Sequence, residues 1–310
     1  MSADSTSAGG ATAAISEVAP EAGVSKPDPI LVASDVRKTF GGLRAVDVSR
    51  IEVQRGAITG LIGPNGAGKT TFFNVLTGFD SADSGRWTFD GKPVAGLPAH
   101  KVARHGMVRT FQLTKALSRM KVIDNMKLAA VGQVGERFLP ALLPPLWRRQ
   151  EEQIEIRANE LLARFQLDGM RDEYAATLSG GQRKLLEMAR ALMVQPTMIM
   201  LDEPMAGVNP ALTQSLLHHV TDLRDEGMTV VFVEHDMDVV MGISDWVVCM
   251  AQGQIIAEGT PDSIGRNPDV IDAYLGSRRG HDVQEGPREI VDAPDVEASE
   301  SSASGEERQA

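Results

Sequence analysis

The chain has 310 residues, 42% apolar and 24% charged, proportions that suit a globular protein with a sizeable core. Its net charge of −11 argues against a nucleic-acid surface, and no apolar run approaches the ~20 residues that span a bilayer. A single cysteine, Cys249, excludes an internal disulfide, and no zinc-ligand spacing is present.

Residues 1–29 hold one basic and four acidic residues, and residues 278–310 four basic and nine acidic. The stretch between them is therefore close to neutral. Both ends are rich in small and polar residues and lack an apolar period, so 1–29 and 278–310 are expected to be disordered tails, the second acidic. No basic segment followed by an apolar one opens the chain, and the expected location is the reducing cytoplasm.

In chain order, 31–36 and 45–53 read as short strands, and Ile58–Ile62 as a buried one. Gly63-Pro64-Asn65-Gly66-Ala67-Gly68-Lys69-Thr70 follows, matching G-x-x-x-x-G-K-[ST] at every fixed position. Glycines there let successive N–H groups point into one concave nest for a polyphosphate. Lys69 adds a mobile charge for the β- and γ-phosphates, and Thr70 offers a hydroxyl to Mg²⁺. Lys69–Leu76 reads as a helix whose N-terminus faces the phosphates. A strand is expected at 86–90.

Next come an amphipathic helix at 150–165, with Ile154, Leu161, Leu162 and Phe165 on one side, and another at 179–193. Short apolar runs at 197–201, Thr229–Val233 and 246–250 read as buried strands separated by helices. This alternation predicts a mainly parallel α/β sheet, with 113–185 as a separate helix-rich lobe. Cys249 lies in the last run, where a packed, inert thiol is expected. The run 198–203 ends in Asp202 and Glu203. A strand that delivers an acid at its C-terminal end places it beside the phosphate loop. Asp202 can then hold Mg²⁺, and Glu203 can act as base on an attacking water. Leu178-Ser179-Gly180-Gly181-Gln182 opens a helix, with Ser179 as N-cap and glycine amides open to an anion.

With that last motif the chain resembles an ATPase subunit of an ABC transporter. The phosphate loop, the signature and the Asp-Glu pair occur in that family's order and spacing over about residues 30–277. The resemblance implies an α/β RecA-like phosphate-loop fold: a mainly parallel sheet, an antiparallel β portion and an inserted helical lobe. The core would comprise 30–112 and 186–277, the lobe 113–185. ATP and Mg²⁺ are the implied cofactors. The loop through Thr71 would bind ATP, with Ser179, Gly180, Gly181 and Gln182 closing over it from a second ATPase subunit, identical or not. Thr70, Gln112 and Asp202 would meet the metal. Glu203 would be the catalytic base, oriented by His235, and Phe40 would stack on adenine. Asn209 stands where many members carry Asp; the loss of that charge need not prevent hydrolysis, and its effect on coupling between subunits is left open by the sequence.

Phe40-Gly41-Gly42-Leu43, Asn74 to Phe79, Arg109 to Gln112, Gly207 to Pro210, Glu234 to Met237 and Ala273-Tyr274-Leu275-Gly276 resemble the branched-chain amino-acid importer ATPases. That branch implies two membrane permease subunits, an extracytoplasmic binding protein, and a place on the cytoplasmic face of the plasma membrane, with no nucleic-acid partner. Urea or amide importers and the lipopolysaccharide exporter are near relatives. The apolar, Pro-broken run 138–147 fits a docking patch or a packed loop. A soluble ABC ATPase acting on ribosomes or DNA is the contrasting class. It is disfavoured by the single phosphate loop and by the short interval between Thr70 and Ser179.

Overall fold

A computed structural model describes residues 8–110, 117–133 and 144–282. Its strands are β1 (Pro29–Phe40), β2 (Leu43–Gln54), β3 (Ile58–Ile62), β4 (Ser84–Phe89), β5 (Lys92–Pro93), β6 (Met107–Arg109), β7 (Met198–Asp202), β8 (Thr229–Val233), β9 (Trp246–Ala251) and β10 (Gln254–Gly259).

Six strands form one sheet in the order β10-β9-β3-β8-β7-β6. β3 lies parallel to β8 and β9, β7 lies parallel to β6 and β8, and only β10 runs antiparallel. Every residue of β3, β7 and β8 is buried. Both faces of these strands are covered, which is why they read as unbroken apolar runs. Alternate side chains go to opposite faces. Ile199 and Leu201 join Leu162, Phe165 and Leu186 on one side, while Met198 and Met200 join Phe72, Phe73 and Trp87 on the other. The register pairs Leu61 with Val233 and Val233 with Asp202. Three strands therefore end at one edge, where their following loops converge.

The second sheet, β2-β1-β4-β5, is antiparallel. The two short strands expected at 31–36 and 45–53 are each twelve residues long. They form a hairpin closed by Gly41 and Gly42, at φ 52° and 91°. Two central residues with positive φ make the tight turn that matches strand twist, so Gly-Gly at this point sets the register. Arg37, Lys38 and Arg44 made the strand ends look like loop. They face outward or pair, with Arg37 and Arg44 both on Asp47.

The helix-rich segment contains Val122–Leu128, Pro144–Arg164 and Gly180–Leu192. The last of these crosses the boundary drawn at 185/186. Residues 138–143 of the apolar run lie outside the described residues, and Pro144 to Trp147 begin a helix.

The expectation of a disordered segment at 1–29 is corrected for residues 8–28. Ala8–Ser16 is helical, and its Ile15 is 1% exposed. Thr12 donates to Asp245. Further on, Glu258 accepts from the amides of Gly23 and Val24, from Trp246 Nε1 at 2.8 Å and from Lys26 Nζ at 2.8 Å. Lys26 also sits 4.0 Å from the Trp246 ring. Besides these polar contacts, Ile15, Val18 and Val24 pack against the core, at spacings of three and six residues that form no sustained helix or strand period. At the other end, helix Pro268–Asp282 crosses the expected boundary at 278, and residues 283–310 lie outside the described ones.

Candidate functional site

The phosphate loop leaves β3 and turns straight into helix Lys69–Leu76. Gly63, Gly66 and Gly68 have φ of 145°, 78° and 98°. A Cβ on Gly63 would lie 2.0 Å from the Met250 carbonyl oxygen, and one on Gly68 2.2 Å from that of Ala45. Both positions need glycine for the backbone angle and for the close approach. Gly68 is the helix N-cap and no side chain caps it, so first-turn amides open toward the loop. Lys69 Nζ donates to the carbonyls of Gly63 at 2.6 Å and Pro64 at 3.1 Å. Burial lowers its pKa, opposed by the carboxylates of Glu203 and Asp202.

β7 brings Asp202 to the same edge. Its Oδ2 pairs with Arg109 Nη2 at 2.6 Å, with both side chains buried. Among the described residues, its Oδ1 is buried without a hydrogen-bond partner. A carboxylate oxygen that has lost water and gained no donor fits a hard cation that prefers oxygen ligands. Glu203 follows at φ 49°, a left-handed angle that costs energy for a side-chain residue. Its backbone is held there by its N–H to Val233 O at 3.0 Å and by Lys184 Nζ and Ala206 N–H donating to its carbonyl at 2.9 and 3.2 Å. Its Oε1 lies 2.6 Å from His235 Nε2.

One cleft of roughly 800 Å³ is lined by residues Asn65 to Thr71 together with Phe40, Arg44, Glu203 and His235. Phe40 stands at its rim, half exposed, with Lys38 Nζ 4.9 Å from its ring. Ser179 to Gln182 are not among its walls. They form a capping box instead. Gln182 N–H donates to Ser179 Oγ at 3.2 Å, and Ser179 N–H donates to Gln182 Oε1 at 2.9 Å. Gly181 is pressed against Leu212, whose Cδ2 would lie 1.7 Å from an added Cβ. Asn209 caps helix Pro210–Asp225 by accepting from Leu212 N–H at 2.9 Å, a role that does not need the charge of Asp. Gln112 lies outside the described residues.

Two supporting residues were not singled out from sequence. Glu234 is buried and accepts from Met205 N–H at 2.7 Å and His235 N–H at 3.3 Å, tying the loop after Glu203 to the loop that carries His235. Burial raises its pKa. Arg109 joins Asp202 to Asn74, on the helix that leaves the phosphate loop, and lies 5.7 Å from the Phe73 ring. A lone acid before His235 and a lone arginine before Gln112 carry no spacing signal; only the sheet register shows what they touch.

A phosphate nest and a Glu-His pair share one cleft, and a buried acid with an open oxygen ends the strand just before that Glu; these are the parts of a phosphate-loop nucleoside triphosphatase. Residues 46–206 match the ABC transporter family, and residues 254–279 match a family described as branched-chain amino acid ATP-binding cassette transporter. The chain belongs to the ABC transporter family as an ATP-binding, ATP-hydrolysing subunit. It is 44% identical over 250 residues to the high-affinity branched-chain amino acid transport ATP-binding protein BraF of Pseudomonas aeruginosa, covering 80% of this chain and 98% of that one. Against LivG of Escherichia coli, with the same description, it is 42% identical over 250 residues with the same coverage. Its fold resembles the crystal structure of MJ1267 in its ADP conformation, an ATP-binding cassette of an ABC transporter. The TM-score is 0.69 and the identity 38%, over 80% of this chain and 99% of the other.

Proposed function

We propose that this chain hydrolyses ATP to drive import of branched-chain amino acids, docked to two permease subunits at the cytoplasmic face of the plasma membrane. An extracytoplasmic binding protein would deliver cargo to those permeases. The reading of the chemistry rests chiefly on the 2.6 Å pairing of Glu203 with His235 at the phosphate-loop cleft. The cargo rests on the match of residues 254–279 and on the names of the relatives.

In this reading the amides of residues 66–71 and Lys69 hold the β- and γ-phosphates. Lys69 leaves the Gly63 carbonyl to do so. Thr70 and Asp202, with Gln112, would hold Mg²⁺, which neutralises phosphate charge when bound. Glu203 accepts the proton of the attacking water, and His235 fixes the carboxylate's direction. Phe40 offers its ring to adenine. Ser179 to Gln182 lie outside this cleft and complete the site of a second ATPase subunit, so hydrolysis needs two subunits. Lys69→Ala should abolish ATP binding in a nucleotide titration; wild-type affinity would refute the loop's role. Cells depleted of this chain should lose uptake of labelled leucine, and unchanged uptake would refute the cargo.

A further inference from the structure

The stretch Ala273-Tyr274-Leu275-Gly276 has no part in the chemistry above, yet Tyr274 reaches the phosphate loop. It lies on helix Pro268–Asp282, and its hydroxyl oxygen accepts a hydrogen bond from Gly63 N–H at 2.8 Å. The Gly63 residue is thereby held from three sides. Tyr274 meets its N–H, the Met250 carbonyl crowds its α-carbon, and Lys69 Nζ meets its carbonyl at 2.6 Å. Gly63 is buried, so an unmet N–H there would be costly. Burial pushes the Tyr274 hydroxyl up to about 12, with Cys249 adding to the rise.

We infer that Tyr274 is a positioning residue for the phosphate loop: it fixes the backbone at Gly63, and so couples docking of the C-terminal helix to nucleotide binding. The physical reason lies in Lys69. When its ammonium swings from the Gly63 carbonyl to a phosphate, the backbone at Gly63 loses one restraint, and the Tyr274 bond to the N–H becomes the main polar hold on it. The bond therefore matters more with nucleotide bound than without. By linkage, nucleotide tightens the docking of the helix by the same factor that the docked helix tightens nucleotide. This inference rests on the reading that the loop binds nucleotide phosphates.

The test compares wild type, Lys69→Ala and Tyr274→Phe by ATP and ADP titration and steady-state hydrolysis. Tyr274→Phe should raise the nucleotide Kd and KM by about 5–10-fold, the size of one hydrogen bond, with kcat within about twofold. Nucleotide should also slow amide exchange across 268–282 in wild type. A variant that melts earlier yet binds ATP and ADP as wild type does would mark a merely structural bond and overturn the inference. Should Tyr274→Phe fail to fold, exchange in wild type decides, and nucleotide-independent exchange of 268–282 overturns it. Wild type that binds no nucleotide would overturn the loop's reading and this inference together. Equal binding by wild type and Tyr274→Phe, lost only in Lys69→Ala, would overturn this inference alone.

Discussion

Replacing Arg109 by Met tests how the buried acid Asp202 is held. Arg109 and Asp202 have side chains only 4% and 1% exposed, and their contact at 2.6 Å is a charge pair cut off from water. Met keeps most of the length and removes the charge. Asp202 would then keep a buried carboxylate with its main partner gone, a situation that costs about 3–5 kcal/mol in comparable buried pairs. For a chain of 310 residues that corresponds to a fall in Tm of roughly 5–8 °C. Calorimetry and urea unfolding of the nucleotide-free protein measure it. Adding Asp202→Asn removes the stranded charge, so the double variant should recover most of the loss, and the cycle isolates the pair from the other contacts of Arg109. An Arg109→Met protein within about 1 kcal/mol of wild type would refute the reasoning, because the pair would then be worth no more than a surface one.

Two further outcomes are expected. Lys26→Met leaves Glu258 charged beneath the N-terminal segment, where both side chains have no exposure. It should cost about 3–5 kcal/mol and open residues 8–28 to limited proteolysis; unchanged stability and protection would contradict the anchoring. Glu234 has a folded pKa raised by burial above its ordinary 4.5. Its contribution to stability is complete below that value and is lost as pH rises through the raised one. Glu234→Gln should therefore gain stability relative to wild type as pH rises above 4.5, read as a growing Tm difference that levels off once the carboxyl has ionised in the folded state; a shrinking difference would reverse the sign.

Much of the site was legible because its parts are local. β3, helix Lys69–Leu76 and β8 fall at their expected residues, since a buried parallel strand is an unbroken apolar run and the loop's glycines punctuate it. The pairing of Glu203 with His235 was implied by the family resemblance, and the structure puts both just beyond the ends of β7 and β8. What escaped is what depends on register. The pairing of Arg109 with Asp202 and of Glu234 with Met205 joins strands far apart in sequence. The left-handed angle of Glu203 has no residue-type signature, unlike those of Gly63 and Gly68. The N-terminal segment read as a tail because Gly23, Val24 and Lys26 bind Glu258, and Ile15, Val18 and Val24 form no sustained apolar period.

The central claim is that Glu203 takes the proton of the water that attacks ATP. Phosphate release by Glu203→Gln under saturating ATP and Mg²⁺ tests it most directly, with nucleotide affinity measured alongside. The account predicts that affinity is retained and turnover falls by at least about 100-fold, the lower end for loss of a general base. Turnover at the wild-type rate would contradict it and remove Glu203 from the chemistry.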